Sequence, residues 1–115
     1  MDDFELQERL DLIEFRMDLL FCGDPISRLL YETEITRNQE QFLVDLMNKY
    51  SDMIDAGEKV SSAQYEVEVF EIVPQINHDY HFCESYAKLC YDDGRWQDVF
   101  EALYKESQKF HHLFQ

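Results

Sequence analysis

The sequence predicts an all-α protein, a multihelical single domain of about five to six helices with a long N-terminal helix and a C-terminal helical hairpin. Apolar residues recur at helical spacing in most segments. Only 3 Gly and 2 Pro occur in 115 residues, whereas an all-β protein needs a turn signal every ~8–12 residues. Hydrophobic residues make up 45% of the chain, which is sufficient for a packed core and argues against a disordered protein. The length corresponds to one domain over residues 1–115.

The first helix is predicted over about residues 3–21, and it carries two apolar rows. The first row, which we call the apolar seam, has a heptad spacing and consists of Leu6, Leu10, Ile13, Met17 and Leu20. The second row lies nearly opposite and consists of Leu12, Phe15 and Leu19. Because a helix with two apolar sides is covered on both, we predict that another copy of the chain covers the seam and makes a homo-oligomer. Burial of both rows within one chain is the alternative.

Local signals place the second helix immediately after the first. Gly23 ends the first helix, and Asp24 followed by Pro25 is an N-cap acid before a proline at the first helical position. The second helix is predicted to reach about Thr33. Its inward-facing residues are Ile26, Leu29 and Leu30.

A capping box starts the third helix. Thr36 is the predicted N-cap and Gln39 stands at the third helical position, so the helix is expected over residues 37–56, where Gly57 ends it. Its apolar set consists of Phe42, Leu43, Leu46, Met47, Tyr50, Met53 and Ile54.

The segment after residue 61 is ambiguous between strand and helix. Tyr65, Val67 and Val69 alternate as in a strand, whereas a second apolar set has helical spacing. A lone strand has no partner elsewhere in this sequence, so we predict a helix, with Ser61 at its start as part of a second capping box. Pro74 must end or kink this helix, and residues 77–79 are the expected break before the hairpin.

The C-terminal segment from residue 82 predicts two helices hinged at Gly94, the residue type that takes positive φ without penalty. The incoming helix presents Phe82, Tyr86, Leu89 and Cys90. The outgoing helix presents Trp96, Val99, Phe100, Leu103, Tyr104 and Phe110. Two apolar faces joined by so short a turn are expected to pack on each other.

Three pieces of the chain resemble the YhaI-like family of small all-helical proteins from Gram-positive bacteria and their phages. These are Glu8-Arg9-Leu10 in the first helix, the Leu29-Leu30 pair, and the hairpin from Tyr91 to Tyr104. The resemblance covers most of the chain, and the hairpin turn is its one compact signature. It implies a multihelical fold and self-association, and it carries no activity. Pro74 departs from the smooth helix that the resemblance implies there.

Acidity is the strongest feature of the composition. The chain has 25 acidic and 10 basic residues, for a net charge of -15. The excess lies in residues 1–94, whereas residues 95–115 hold equal numbers of acids and bases. Direct binding to nucleic acid or to an anionic membrane is disfavoured, because phosphate contacts need clustered Lys and Arg. A solvated surface that prevents aggregation is one interpretation, and a surface that binds a basic protein is the other.

An acidic surface also raises the alternative of a nucleic-acid mimic that occupies the basic groove of a DNA- or RNA-binding protein. Such an inhibitor needs carboxylates in rows along a rigid face. The candidate residues, which we call the acidic set, are Asp2, Asp3, Glu5, Glu8, Asp11, Glu14, Asp18, Glu66, Glu68 and Glu71.

The cysteine count predicts a reducing, cytoplasmic location. Cys22, Cys83 and Cys90 are odd in number and scattered, which is not a disulfide framework. The N-terminus lacks a basic region followed by an apolar run, so no signal peptide is expected. No apolar run approaches the ~20 residues that span a bilayer.

The sequence contains no strong catalytic or metal motif. His78, His81 and Cys83 could supply zinc ligands, but the spacing lacks a second half, and surface histidines beside a buried thiol are the preferred interpretation. His111 and His112 are predicted to cap the last helix. Phosphate-binding glycine loops and hydrolase motifs are missing. We therefore predict a cytoplasmic interaction or regulatory protein that is not an enzyme, has no cofactor or small-molecule substrate, and associates with itself and possibly with a basic protein.

Overall fold

A computed structural model describes residues 2–107 of the chain. In order, its elements are α1 (Asp3–Cys22), α2 (Pro25–Glu32), α3 (Arg37–Asp55), α4 (Ser62–Ile72), a 3₁₀ turn (Pro74–Ile76), α5 (Tyr80–Asp92) and α6 (Gln97–Tyr104). Among these described residues no strand occurs, and the predicted all-α class with a long first helix and a helical hairpin is confirmed.

Side-chain caps start five of the helices, and those of α2, α3 and α4 stand at the predicted positions. Asp2 accepts a hydrogen bond from the backbone N–H of Glu5 at 2.8 Å and begins α1. Thr36 accepts from Gln39 N–H at 3.2 Å while the Gln39 side chain accepts from Thr36 N–H at 3.0 Å, so the predicted capping box is complete. Asp24 and Ser61 cap α2 and α4 through the amide three residues later. These contacts satisfy amide groups that have no partner within the helix.

The ambiguous segment is helical, as predicted. Tyr65 and Val69 are buried on one side of α4, and Val67, which alternation would have placed with them, is 57% exposed. Pro74 ends the helix and begins the 3₁₀ turn, because its ring removes a hydrogen-bond donor. The break at residues 77–79 follows, with His78 at a φ of 71°.

A shared core joins the six helices. The hairpin helices α5 and α6 pack on each other, α6 also packs on α3, and α2 packs on α5. Tyr65 of α4 lies fully buried at the centre, where its hydroxyl donates to the Cys83 carbonyl oxygen at 3.1 Å. Its ring meets Tyr50 edge-on at 5.8 Å and Tyr104 at 6.4 Å between centroids. The aromatic side chains of these helices therefore hold the core together.

One predicted core position is wrong, and Trp96, which packs partly buried against the core, lies just before the helix that was predicted to contain it. Phe42 is 57% exposed, because it lies at the edge of α3, about 100° around the helix from the buried Leu43. Trp96 is not part of the outgoing helix but precedes it in the left-handed region at a φ of 50°, where its indole N–H donates to Asn48 Oδ1 at 2.9 Å. Phe110, also assigned to that helix, lies outside the described residues.

Gly94 has the positive φ predicted for the hairpin turn, 80°, and no atom lies within 4 Å of where a Cβ would stand. Gly94→Ala is therefore expected to lower the free energy of unfolding by about 1–2 kcal/mol through backbone strain alone. Urea denaturation measures the difference. Gly94→Asn should lose less than Gly94→Ala, because Asn tolerates this conformation better. An equal loss in both variants would contradict a purely conformational cause.

The first helix extends beyond the core. Residues 2–14 are all exposed, and Phe15 is the first buried residue of α1. Twenty residues of helix measure about 30 Å, and the molecule is 53 Å along its longest axis against 26 and 25 Å across. The N-terminal half of α1 therefore presents its whole circumference to solvent.

Candidate self-association surface

The apolar seam is open to solvent along the whole of α1. Its five side chains are between 47% and 63% exposed, and they are Leu6, Leu10, Ile13, Met17 and Leu20. The second row enters the core at Phe15 and Leu19, which are only 4% and 6% exposed, whereas Leu12 lies in the free N-terminal half and is 38% exposed. The core of the chain thus buries Phe15 and Leu19 of the second row, and it leaves the apolar seam uncovered.

Contacts on both sides of the buried row orient α1. On one side the Arg16 guanidinium lies 4.0 Å above the Tyr31 ring of α2 and donates to the Tyr31 carbonyl oxygen at 3.3 Å. On the other side Arg37 at the start of α3 pairs with Asp18 at 3.5 Å and lies 5.0 Å from the Phe15 ring. Because α2 and α3 hold opposite flanks of the helix, the seam points away from the core.

Apolar exposure is concentrated on this helix. Of the eleven large hydrophobic residues that are exposed in the described chain, eight lie on α1. Phe21 is 94% exposed and borders the seam, and Phe4 is 71% exposed on the other side of the helix. Neither residue belongs to the two predicted rows, although the position of Phe21 directly after Leu20 places it at the edge of the seam. A concentration of exposed apolar side chains on one element is typical of an interaction surface.

The acidic set is divided by the fold. Its seven members on α1 and at its N-cap are exposed, and they are Asp2, Asp3, Glu5, Glu8, Asp11, Glu14 and Asp18. On α4 only Glu71 is exposed. Glu66 accepts a hydrogen bond from the Tyr104 hydroxyl at 3.2 Å, and Glu68 accepts from Lys49 Nζ at 2.9 Å. The half-buried Glu66 and Glu68 therefore contact other helices of the same chain.

The pKa values of Glu66 and Glu68 are shifted in opposite directions by their surroundings. Burial raises the pKa of Glu66. Burial also acts to raise the pKa of Glu68, but the hydrogen bond from Lys49 and further polar contacts outweigh it, and the pKa of Glu68 is lowered. Glu68 is therefore ionised and paired at neutral pH.

The histidine and cysteine candidates do not converge. His78 and His81 are exposed, whereas Cys83 is buried with its sulfur 3.8 Å from the Asp79 carbonyl oxygen. His81 shares a hydrogen bond with Ser85 at 3.3 Å. Within residues 2–107 no group of three or more His, Cys, Asp or Glu residues is placed to hold a metal ion. His111 and His112 lie outside the described residues.

The three thiols are predicted to differ sharply in reactivity. Cys22 is exposed, whereas burial raises the pKa of Cys83 to about 12 and that of Cys90 to about 11. A thiol-specific disulfide reagent at pH 8 should therefore modify one cysteine quickly in the folded protein and all three after denaturation. Cys22→Ser should abolish the fast phase. Fast labelling that survives this substitution would contradict the burial of the α5 thiols.

Two concave sites lie near α1 and α2. A notch of about 520 Å³ separates the N-terminal half of α1 from the start of α3, and Arg9 and Arg37 are among its lining residues. A smaller cleft of about 180 Å³ contains Glu40 and Arg95. Burial raises the pKa of Glu40, but neither His nor Cys is among the described residues that line the cleft. The Ser27 hydroxyl in the same lining donates a hydrogen bond to the Asp24 carboxylate, the N-cap of α2.

No protein-family model, curated protein or solved structure matches the chain. The resemblance to the YhaI-like family accordingly stays a prediction. In the described part of the chain, every helix is too short or too polar to cross a membrane.

Proposed function

We propose that the protein is a non-enzymatic cytoplasmic interaction or regulatory protein that associates with itself through the apolar seam of α1. The observation that carries this proposal is the exposure of all five seam residues, at 47–63%, on a helix whose other apolar row enters the core. A monomer that leaves a heptad row in water forgoes the apolar burial that a second copy can supply.

The expected free energy of association favours a weak complex. Full burial of a Leu, Ile or Met side chain stabilises by about 1.5–3 kcal/mol, so the half-exposed seam residues of two chains together contribute on the order of 8–15 kcal/mol. Association costs roughly 4–15 kcal/mol in lost freedom of the two chains and their side chains. The two ranges overlap, so only a small part of the burial energy is left for affinity, and a reversible complex is favoured over a permanent oligomer.

Sedimentation velocity across a concentration series tests the proposal. The weight-average mass should rise from 13.9 kDa toward a multiple of it as the concentration passes from below one to about a hundred micromolar. A mass that stays at the monomer value over this range would remove the proposal.

A nucleic-acid mimic is the second candidate function. It is supported by the exposed row of Glu8, Asp11 and Glu14, whose spacing of three residues places one carboxylate every ~4.5 Å along the helix axis. Only the α1 members of the acidic set support it, because Glu66 and Glu68 are held by Tyr104 and Lys49.

Capture of partners at two salt concentrations separates the two candidates. A mimic should lose a basic partner steeply between about 50 and 200 mM salt, because its binding is electrostatic. Neutralising the row with Glu8→Gln and Asp11→Asn should produce the same loss at low salt. Partner binding that changes with neither salt nor charge would exclude the mimic.

A further inference from the structure

We infer that two copies of the chain pair through α1 as a parallel, in-register, two-stranded coiled coil. This inference rests on the proposed self-association and specifies its geometry. The narrow seam, one residue wide at each turn and bordered by polar residues except at Phe21, is the pattern of a coiled-coil contact rather than of the broad apolar stripe of a helix in a globular core.

The number of seam residues favours the parallel direction. In heptad notation Leu10 and Met17 occupy a positions, and Leu6, Ile13 and Leu20 occupy d positions. A parallel pair stacks each residue on its own copy, so all five layers are apolar. An antiparallel pair matches a with d, and only four apolar layers can form. In one antiparallel register Leu20 faces Asp3 of the other copy, and in the other register Leu6 extends past the end of the second helix.

Charges beside the seam point the same way. Arg9 stands at a g position and Glu14 at the following e position, and both are exposed. A parallel pair brings g of one helix to the next e of the other, so Arg9 meets Glu14 of the second copy twice per dimer. An antiparallel pair brings g to g and e to e. In one of its two registers Arg9 lies opposite Arg16 of the other copy. In the other register Arg16 lies opposite its own copy, and so does Glu14.

The rest of the fold leaves room for this arrangement. Arg16 is bound to Tyr31 of α2 on one flank, and Asp18 is bound to Arg37 of α3 on the other, so each core lies on the side of α1 opposite the seam. Two parallel helices therefore meet seam to seam with their cores on the outside. The exposed Phe21, at the e position after Leu20, extends the apolar contact at the C-terminal end.

Disulfide trapping tests the direction. In a Cys22→Ser background, Leu6→Cys should form a covalent dimer with itself on mild oxidation, because a parallel pair brings the two copies of residue 6 together at a d layer. Met17→Cys should do the same. An antiparallel pair would instead give no product from either variant alone. Their mixture would give a heterodimer in the register that matches Leu6 with Met17, and no product in the register that leaves Leu6 past the helix end. Either antiparallel pattern would overturn the parallel geometry while leaving self-association intact.

A charge exchange at exposed positions gives a control that does not involve the seam. Glu14→Arg lowers the net negative charge of the chain, so general repulsion alone predicts tighter association. A parallel pair predicts the reverse, an affinity roughly 10-fold weaker, because Arg9 then faces a like charge at two places in the dimer. The double variant Arg9→Glu with Glu14→Arg should restore the wild-type affinity. Tighter association of the single variant would overturn the inference, and a monomeric wild-type chain would remove both the inference and the proposed function.

Discussion

Replacing Ile13 with aspartate is expected to convert the self-associated protein into a folded monomer. Ile13 is the central seam residue, and its 55% exposure means that the substitution removes little from the core of one chain. In a pair of helices it would place two carboxylates opposite each other in an apolar layer. Desolvating charges without a partner should weaken association by at least about 100-fold. Sedimentation velocity gives the mass, and circular dichroism reports whether the helices are retained.

Phe4→Asp is the matched control for this substitution. It adds the same charge to the same helix, but Phe4 lies away from the seam and is already 71% exposed. The weight-average mass of the Phe4→Asp variant should equal that of the wild type at the same concentration. If Ile13→Asp associated as the wild type does, the seam would not be the interface. If Phe4→Asp dissociated to the same extent as Ile13→Asp, net charge rather than the seam would control the assembly.

Removing the Tyr65 side chain is expected to have the largest effect on stability. Tyr65→Ala deletes a fully buried ring that contacts Tyr50 and Tyr104, and it also removes the hydrogen bond to Cys83. Substitution of a buried aromatic residue by alanine costs about 3–5 kcal/mol, a large part of the ~5–15 kcal/mol that stabilises a typical domain. Urea denaturation followed by circular dichroism measures the loss.

Two further variants separate the contributions. Tyr65→Phe keeps the ring and removes the hydroxyl, so about 1–2 kcal/mol should be lost because the Cys83 carbonyl oxygen loses its buried donor. Val67→Ala, two residues away on the same helix and 57% exposed, should change stability by less than about 0.5 kcal/mol. A comparable loss from Val67→Ala would mean that the other side of α4 faces the core.

Much of the helical framework could be predicted from local chemistry. The N-cap residues Asp24, Thr36 and Ser61 each accept a hydrogen bond from the amide three residues later, and Pro74 ends α4. Capping and proline termination act within one helical turn, so the residues involved are close together in the sequence. The error at Phe42 is different in kind, because burial depends on which other element covers a residue.

The candidate site was predictable only in part. The pattern on α1 identifies both apolar rows, but it contains no information on which row the rest of the chain covers. The same holds for the acidic set, where Glu71 of α4 is exposed while Glu66 and Glu68 of the same helix accept hydrogen bonds from Tyr104 and Lys49.

The sequence by itself determined the class of fold, the starts of the helices, the acidity and the presence of two apolar rows on the first helix. The tertiary structure decided that Phe15 and Leu19 enter the core while the seam stays in water. The physical reason is that periodicity and capping are local, whereas burial is settled by the contacts of α2 and α3 with one side of α1. Tyr31 and Arg37 make those contacts, and neither belongs to the pattern on α1 itself.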